Sequence, residues 1–360
     1  MTSQSAAAAS RPRFLKSIAY LQIIGIVFVV IGHSFHEYPD GEMGHSMLLY
    51  RMMYSFRMPL FMFVSGFLMV FTTESNNRHP RWKEFASTKV KRLLVPFVVL
   101  SLVTFVPRAL FSDMADDHVE LSFRSLAESL ILSKKQTIPY LWFLQSSFTL
   151  LTVIYAVLTF VRNHRLNRGL TYLLLIVAFT VMQFIPLSFG HIFSLADTFR
   201  LGIFFVLGAS YAHTHNSIDR LLPWTSALFA GLVAAAWAIS FFVTEHTDFM
   251  PLCSLLGIMM CISAAKLLEK HEIGILDHLI GANYIIFLLS WFCNVACQQV
   301  LHHFTDLPWW VYTTLSIFSG IYVPWWFYRY MLHHPESRLT YLATHLLGQS
   351  FRRKTTQIKA

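Results

Sequence analysis

The stretch Ser17-Ile-Ala-Tyr-Leu-Gln-Ile-Ile-Gly-Ile-Val-Phe-Val-Val-Ile-Gly-His-Ser-Phe35 contains no Asp, Glu, Lys or Arg. A helix of about 20 mostly apolar residues is long enough to cross the hydrocarbon core of a bilayer. Similar apolar runs follow at 47–71, 93–111, 138–161, 170–187, 198–214, 222–244, 251–268, 279–301 and 308–332. The pattern predicts an all-α fold, a polytopic membrane helical bundle of about ten transmembrane helices.

The composition excludes an ordinary soluble domain. The 360 residues are 55% hydrophobic and only 13% charged, and the mean hydropathy is +0.51, whereas soluble domains carry roughly 25% charged residues. The net charge of +9 raises the possibility of nucleic-acid binding. We reject it because the basic residues lie in short loops between apolar runs, where they orient membrane helices. The composition therefore indicates membrane lipid, and no nucleic acid, as a partner.

The basic residues also predict the orientation of the chain. If the N-terminus is cytoplasmic, most of the 28 Lys and Arg residues fall in alternate, cytoplasmic segments, as the positive-inside rule requires. We therefore predict a multi-pass protein of the cell (inner or plasma) membrane with both termini in the cytoplasm. A cleaved signal peptide is disfavoured, since the first apolar run leads into Gly-His-Ser-Phe-His and not into a small-x-small cleavage site.

The two ends of the chain differ from the apolar middle. Residues 1–15 are rich in Ser and Ala and are predicted to be a disordered cytoplasmic tail. Residues 334–360 form a basic cytoplasmic tail with apolar positions at Leu339, Leu342, Leu346 and Leu347. That spacing fits an interfacial helix on the inner leaflet, and a plain solvated tail is the alternative.

Polar residues inside apolar runs are candidates for function, because they are costly in a membrane. Gln22 and His33 are three helical turns apart, so they share one face of the first helix and lie about 16 Å apart along it. Glu37 follows His33 by four residues, where a carboxylate can orient the imidazole. An imidazole held in this way suits a general base. The alternative is a histidine hydrogen-bonded at the membrane interface with no chemical role.

Two further features combine charge with a break in the apolar pattern. Arg57 lies inside the second run, two residues before Pro59, and proline frees a backbone carbonyl that must be satisfied. This pair predicts either a polar cavity or an ordinary kink with a snorkelling arginine. Lys89, Lys91 and Arg92 precede the third run. They are either a topological stop signal or a cytoplasmic anchor for an anionic cofactor.

Several of these segments together resemble the acyltransferase-3 family of membrane-bound O-acyltransferases, in particular its fucose-acetylase-like and intercellular-adhesion-protein-C-like branch. The resemblance spans about residues 16–330 and implies a membrane domain over residues 16–333, and its motifs occur in the family's order. They are Tyr20–Ser34 ending on His33, Tyr54-Ser-Phe-Arg-Met-Pro-Leu-Phe-Met-Phe-Val-Ser-Gly-Phe67, Lys89-Val-Lys-Arg-Leu-Leu-Val-Pro96, Leu141-Trp-Phe-Leu144 and, more weakly, Phe204–Gly208 and Gly281–Leu289.

The resemblance implies transfer of an acyl group, usually acetyl, from a cytoplasmic acyl-CoA to a sugar hydroxyl of a surface polysaccharide or lipid-linked glycan. Acetyl-CoA would be a co-substrate, with no tightly bound cofactor and no metal. His33 would act as general base, or as the carrier in a covalent acyl-histidine relay. The site residues implied are His33, Glu37 and Arg57 for catalysis, and Lys89, Arg92, Gln22 and Trp142 for binding acyl-CoA.

The chain departs from the family pattern at Gln22, where members usually carry arginine. Glutamine can hydrogen-bond a phosphate or carbonyl but cannot neutralise its charge, so Lys16 or Arg57 is expected to take over that role. The late motif also ends on Ser290 and not on the frequent histidine. A different class of function, a transporter or exporter of polysaccharide or lipid-linked sugar, would require inverted repeats and matching broken helices. We find neither pattern in the sequence.

Overall fold

The computed structural model describes residues 16–35, 44–75, 79–110, 120–138, 140–185, 191–244, 251–305 and 307–351. The regular structure in these ranges is helical, apart from one isolated bridge between Leu132 and Ile192. The α-helices are α1 (Lys16–Ser34), α2 (Gly44–Ser75), α3 (Trp82–Lys89), α4 (Val95–Leu110), α5 (Phe123–Ile131), α6 (Trp142–Asn163), α7 (Arg168–Met182), α8 (Leu195–Leu221), α9 (Ala227–Thr244), α10 (Pro251–Lys270), α11 (Asn283–Phe304), α12 (Trp309–His333) and α13 (Arg338–Leu346).

The all-α prediction is confirmed for the described residues, and a helix covers most of each predicted apolar run. Within these ranges, seven helical segments are long and apolar enough to cross a membrane. They are Lys16–Ser34, Tyr50–Glu74, Trp82–Leu110, Trp142–Asn163, Leu195–Leu221, Pro251–Lys270 and Asn283–Phe304. The chain is therefore a multi-pass membrane protein, while the count of about ten crossings and the side of each terminus stay predictions.

One helix boundary differs from its prediction. Helix is present from Trp82, well before the apolar run at 93–111, and a π-helical turn over Val90–Leu94 joins α3 to α4. The early part is polar, and only Phe85 among its residues is buried, so hydropathy alone misses it. Pro96 cannot donate to the carbonyl four residues earlier, and the widened turn lies directly before it. The Lys89–Arg92 segment therefore lies inside a continuous helical stretch and not before the start of the third helix.

The chain divides into two compact units. Among the described residues, unit I contains Ser65–His213 and Arg338–Ser350, and unit II contains residues 16–64, Thr214–Ser337 and Phe351. In unit I, α3 packs on α6, where the Phe85 and Tyr155 rings stack with centroids 3.9 Å apart. The end of α2 approaches α8 closely, because Gly66 lies directly against the Phe205 carbonyl.

In unit II, α1 is the central helix and packs against α10, α11 and α12. Helices α11 and α12 form an antiparallel pair, in which the His302 and Tyr312 rings stack at 4.2 Å and Asn294 lies against Gly320. Gly25 allows close packing of α1 on α2, since a Cβ there would be 3.3 Å from both Leu60 and Phe61. The last turn of α1 is therefore enclosed by side chains from several helices.

The C-terminal segment begins with a helix, α13, which packs against α4 within unit I. Thr340 and Ala343 are buried, whereas Leu339, Leu342 and Leu346 are each at least 43% exposed. An exposed apolar stripe on a short helix is typical of a segment that lies in a membrane interface. The interfacial placement remains a prediction. The predicted disordered tail at 1–15 lies outside the described residues.

Candidate functional site

The last turn of α1 and the middle of α2 bring two of the predicted residues together in unit II. His33 is half-buried in the final turn of α1. The Arg57 guanidinium lies directly against Gly32, the residue before His33, and occupies the space that a Cβ at Gly32 would fill. The glycine therefore lets the arginine reach the backbone of the turn that carries the histidine.

Arg57 is a cation enclosed by protein. Only 2% of the residue is exposed, and its guanidinium lies over the rings of Tyr54 and Tyr50, at 4.6 and 5.4 Å from their centroids. These are cation–π distances. Its Nε and Nη1 groups form no hydrogen bond with any described residue. A buried guanidinium with two available donors is suited to binding an oxyanion or a polarised carbonyl. The snorkelling alternative is wrong, because a snorkelling arginine would expose its guanidinium to water and Arg57 is buried.

Two amides of α11, which the sequence analysis missed, hold the end of α1. The Gln298 side chain donates to the Ser34 carbonyl at 2.9 Å. The Asn294 side chain donates to the Ser34 hydroxyl at 3.1 Å and the Val30 carbonyl at 3.3 Å. Carbonyls in the last turn of a helix lack intrahelical donors, so Gln298 caps α1 beside His33. The sequence signal for these residues is that two uncharged amides, Asn294 and Gln298, occur four residues apart in an apolar run.

The kink at Pro59 has a protein partner. Proline 59 cannot donate to the carbonyl of Ser55 four residues earlier, and the Ser254 hydroxyl from α10 donates to that carbonyl at 2.5 Å. The interaction is buried. The carbonyl that the sequence analysis assigned to a polar cavity is therefore satisfied by a side chain.

The other predicted residues near α1 have separate environments. Gln22 is half-buried on α1, and Glu37 lies outside the described residues. Lys16 is paired with Asp277 at 3.1 Å, and the Tyr20 hydroxyl donates to the same carboxylate at 2.6 Å. Hydrogen bonds from Tyr20 and Lys16 lower the pKa of Asp277 below its usual range. Because Lys16 already pairs with a carboxylate, Arg57 is the better candidate for the missing family arginine.

The predicted acyl-CoA ligands Lys89, Arg92 and Trp142 belong to unit I. The Lys89 ammonium lies 4.8 Å from the centroid of the Phe85 ring, and Arg92 is exposed within the π-helical turn. Trp142 is half-buried at the start of α6. A π-helical turn inside a helix is frequent at functional sites, and here it presents the basic residues.

Comparison with known proteins agrees with these features. The family model for the acyltransferase domain of the acyltransferase-3 family matches residues 15–329, which includes both units' long helices. No curated protein and no solved structure gives a significant match to the chain. The family match covers most of the chain and contains His33, Arg57, Lys89, Arg92 and Trp142. The chain therefore belongs to the acyltransferase-3 family and is a membrane acyltransferase.

Proposed function

We propose that the protein is an O-acyltransferase that moves an acyl group, acetyl in the first instance, from cytoplasmic acyl-CoA to a sugar hydroxyl of a surface polysaccharide or lipid-linked glycan. The observation that carries this proposal is the buried Arg57 guanidinium against Gly32, beside His33. This contact supports the proposal because it puts an oxyanion-binding candidate against Gly32, the residue that precedes the general-base candidate His33.

His33 acts as the base in this proposal. Its imidazole takes the proton of the sugar hydroxyl while the oxygen attacks the thioester carbonyl. The carbon–sulfur bond then breaks, and the CoA thiolate receives the proton from the imidazolium. Glu37 orients the imidazole, as its four-residue spacing suggests. A relay through an acyl-histidine is the variant in which the imidazole nitrogen itself attacks the thioester.

Arg57 stabilises the negative charge that develops on the thioester oxygen. A guanidinium shielded from water interacts more strongly with such a charge than an exposed one does. The neighbouring Tyr50 and Tyr54 rings contact the Arg57 guanidinium, and the amides of α11 cap the helix that carries His33. This geometry supports a role for Arg57 in the chemical step over a role in loose substrate binding.

The donor is proposed to bind through the residues that the family motifs indicate. Lys89 and Arg92 hold the phosphates of CoA from the cytoplasmic side, since Lys and Arg are the usual ligands of phosphate. Trp142 packs against the pantetheine or the sugar, and Gln22 hydrogen-bonds the donor further along α1. In this arrangement acyl donor and sugar acceptor approach from opposite faces of the cell membrane.

The test is the acetyl content of surface glycans, measured by NMR on cells that express His33→Ala at normal levels in the membrane. We expect loss of the protein-dependent acetyl signal. His303→Ala is the matched control, because His303 is an exposed histidine near the end of α11, and it should retain the signal. Unchanged acetylation in His33→Ala would refute the proposal, and normal acetylation with lost glycan export would favour the transporter.

A further inference from the structure

Unit I contains a cluster of polar side chains that the proposed reaction does not use. Glu74, near the end of α2, accepts from Arg168 Nη1 at 3.1 Å and is paired with His213 Nδ1 at 3.0 Å. The other ring nitrogen, His213 Nε2, lies 3.0 Å from the Tyr172 hydroxyl. This network links α2, α7 and α8 by hydrogen bonds and fixes the positions of Arg168 and His213.

A small pocket of about 40 Å³ lies beside this network. Its wall also contains Arg162 from the last turn of α6 and His79 from the segment before α3. The Arg162 side chain forms no ion pair with any described residue. Partial burial and the nearby Arg162 lower the pKa of His79 below its usual range. The pocket therefore has two arginines and two histidines for a single carboxylate.

The pocket also offers neutral hydrogen-bonding groups. Thr159 lines it, and its buried hydroxyl has no hydrogen-bond partner among the described residues. Tyr155, by contrast, already donates to the Pro80 carbonyl at 2.7 Å and shapes the wall. Guanidinium, imidazole and hydroxyl groups around one small pocket are the donors that recognise a phosphate.

We propose that this pocket is a binding site for a phosphate group, with Arg162 as its principal ligand, Arg168 as a second cation, the His79 imidazole as a hydrogen-bond donor and Thr159 as a hydroxyl donor. Arg162 and Arg168 flank the short α6–α7 connection, which the positive-inside pattern places on the cytoplasmic side. The phosphate then belongs either to the headgroup of an inner-leaflet lipid or to a soluble phosphate ester such as CoA. The site shares no residue with the proposed reaction.

Glu74 provides a prediction that a purely structural network does not make. Its carboxylate lies next to the cations and competes with an incoming anion. Removing that charge while keeping the shape, in Glu74→Gln, should therefore tighten phosphate binding by roughly 3-fold to 10-fold. In contrast, Arg162→Gln should weaken binding by about 10-fold or more, since it removes the unpaired cation.

The first experiment measures the thermal stabilisation of the purified full-length protein by inorganic phosphate at constant ionic strength. The control is Arg220→Gln, because Arg220 Nε bonds only its own helix at the Asn216 carbonyl in the described contacts. We expect the half-saturating phosphate concentration to rise in Arg162→Gln, fall in Glu74→Gln and stay unchanged in Arg220→Gln. Equal values for Arg162→Gln and Arg220→Gln, or weaker binding in Glu74→Gln, would overturn the proposal.

The second experiment separates the two sources of phosphate. Native mass spectrometry counts the phosphatidylglycerol molecules that wild type and Arg162→Gln retain, and CoA is tested as a competitor of inorganic phosphate. Lipid retention that depends on Arg162 identifies a headgroup, and competition by CoA identifies a soluble ester. If neither depends on Arg162, the pocket binds an adventitious ion only and the proposal is wrong. None of these readouts depends on acyl transfer.

Discussion

Gly32→Ala isolates the contact between Arg57 and the turn that carries His33. A Cβ at position 32 would lie 3.0 Å from Arg57 Cζ and closer still to Nη1. Because carbon atoms in contact are about 3.5–4.0 Å apart, Cζ must retreat by at least about 0.5 Å and Nη1 by more. Arg57 is enclosed by the Tyr54 and Tyr50 rings, so this movement takes the guanidinium out of its position beside His33.

The expected effect falls on the reaction and not on the fold. Alanine is favoured over glycine inside a helix by roughly 0.5–1 kcal/mol, and a strained side-chain rotamer costs about 0.5–1.5 kcal/mol. The free energy of unfolding should therefore change by less than about 1 kcal/mol. Losing one donor to a developing oxyanion slows a reaction by about 10²–10³-fold, and we expect a loss of that size in kcat.

The assay is CoA release from acetyl-CoA by purified protein in the presence of extracted surface glycan as acceptor, with thermal unfolding measured alongside. Gly231→Ala is the control, because nothing lies within 4 Å of a Cβ at Gly231, and it should keep full activity. If Gly32 serves to admit Arg57, adding Gly32→Ala to Arg57→Ala should cause no further loss. Wild-type activity in Gly32→Ala, or additive losses in the double variant, would refute the reasoning.

Three other predictions concern the framework around this site. Ser254→Ala leaves the buried Ser55 carbonyl without its partner and should lower the free energy of unfolding by about 1–3 kcal/mol, measured by thermal or chemical denaturation. Gln298→Met keeps the side-chain volume but removes the cap on the Ser34 carbonyl, and should lower kcat about 10-fold with KM for acetyl-CoA unchanged. The lowered pKa of Asp277 means that its contribution to stability is present above the ordinary pKa of 3.8 and is lost as pH falls through the lower folded value.

Each of these predictions has its own control. Ser240→Ala removes a hydroxyl bond to the Trp237 carbonyl of its own helix and should change stability by less than about 0.5 kcal/mol; an equal loss in both serine variants would contradict the first prediction. A rise in KM without a fall in kcat would assign Gln298 to substrate binding. Asp277→Asn should flatten the fall of melting temperature at acid pH, and an unchanged profile would show that Asp277 does not cause it.

The sequence predicts the helices well, because apolar length is a strong signal, but it predicts their ends poorly. Trp82–Lys89 is helical although its residues are largely polar, and packing of Phe85 on Tyr155 stabilises it. The Leu339–Leu347 segment contains a helix. Of the two alternatives, an interfacial helix and a plain solvated tail, only the first includes a helix, and its place in the membrane interface stays a prediction. Apolar length alone does not fix the number of crossings, since α7 is short and α12 is rich in aromatic and polar residues.

The site is predicted in part. The sequence identifies His33 and Arg57 individually, but the space at Gly32 that brings Arg57 to the turn of α1 is a tertiary contact and has no local signature. Gln298 has a weak sequence signal, because an uncharged amide can be buried in a membrane when its hydrogen bonds are made. The partner of Lys16 is Asp277, far away in the chain, and spacing could not reveal it.

The most direct test of the account is the rate at which purified protein releases CoA from acetyl-CoA in the presence of surface glycan extracted from the cells as acceptor, compared between His33→Ala and its control His303→Ala. If His33 is the general base at a site that holds Arg57, His33→Ala should slow release by about 10²–10⁴-fold and His303→Ala should match wild type. Equal rates in all three proteins would contradict the central claim.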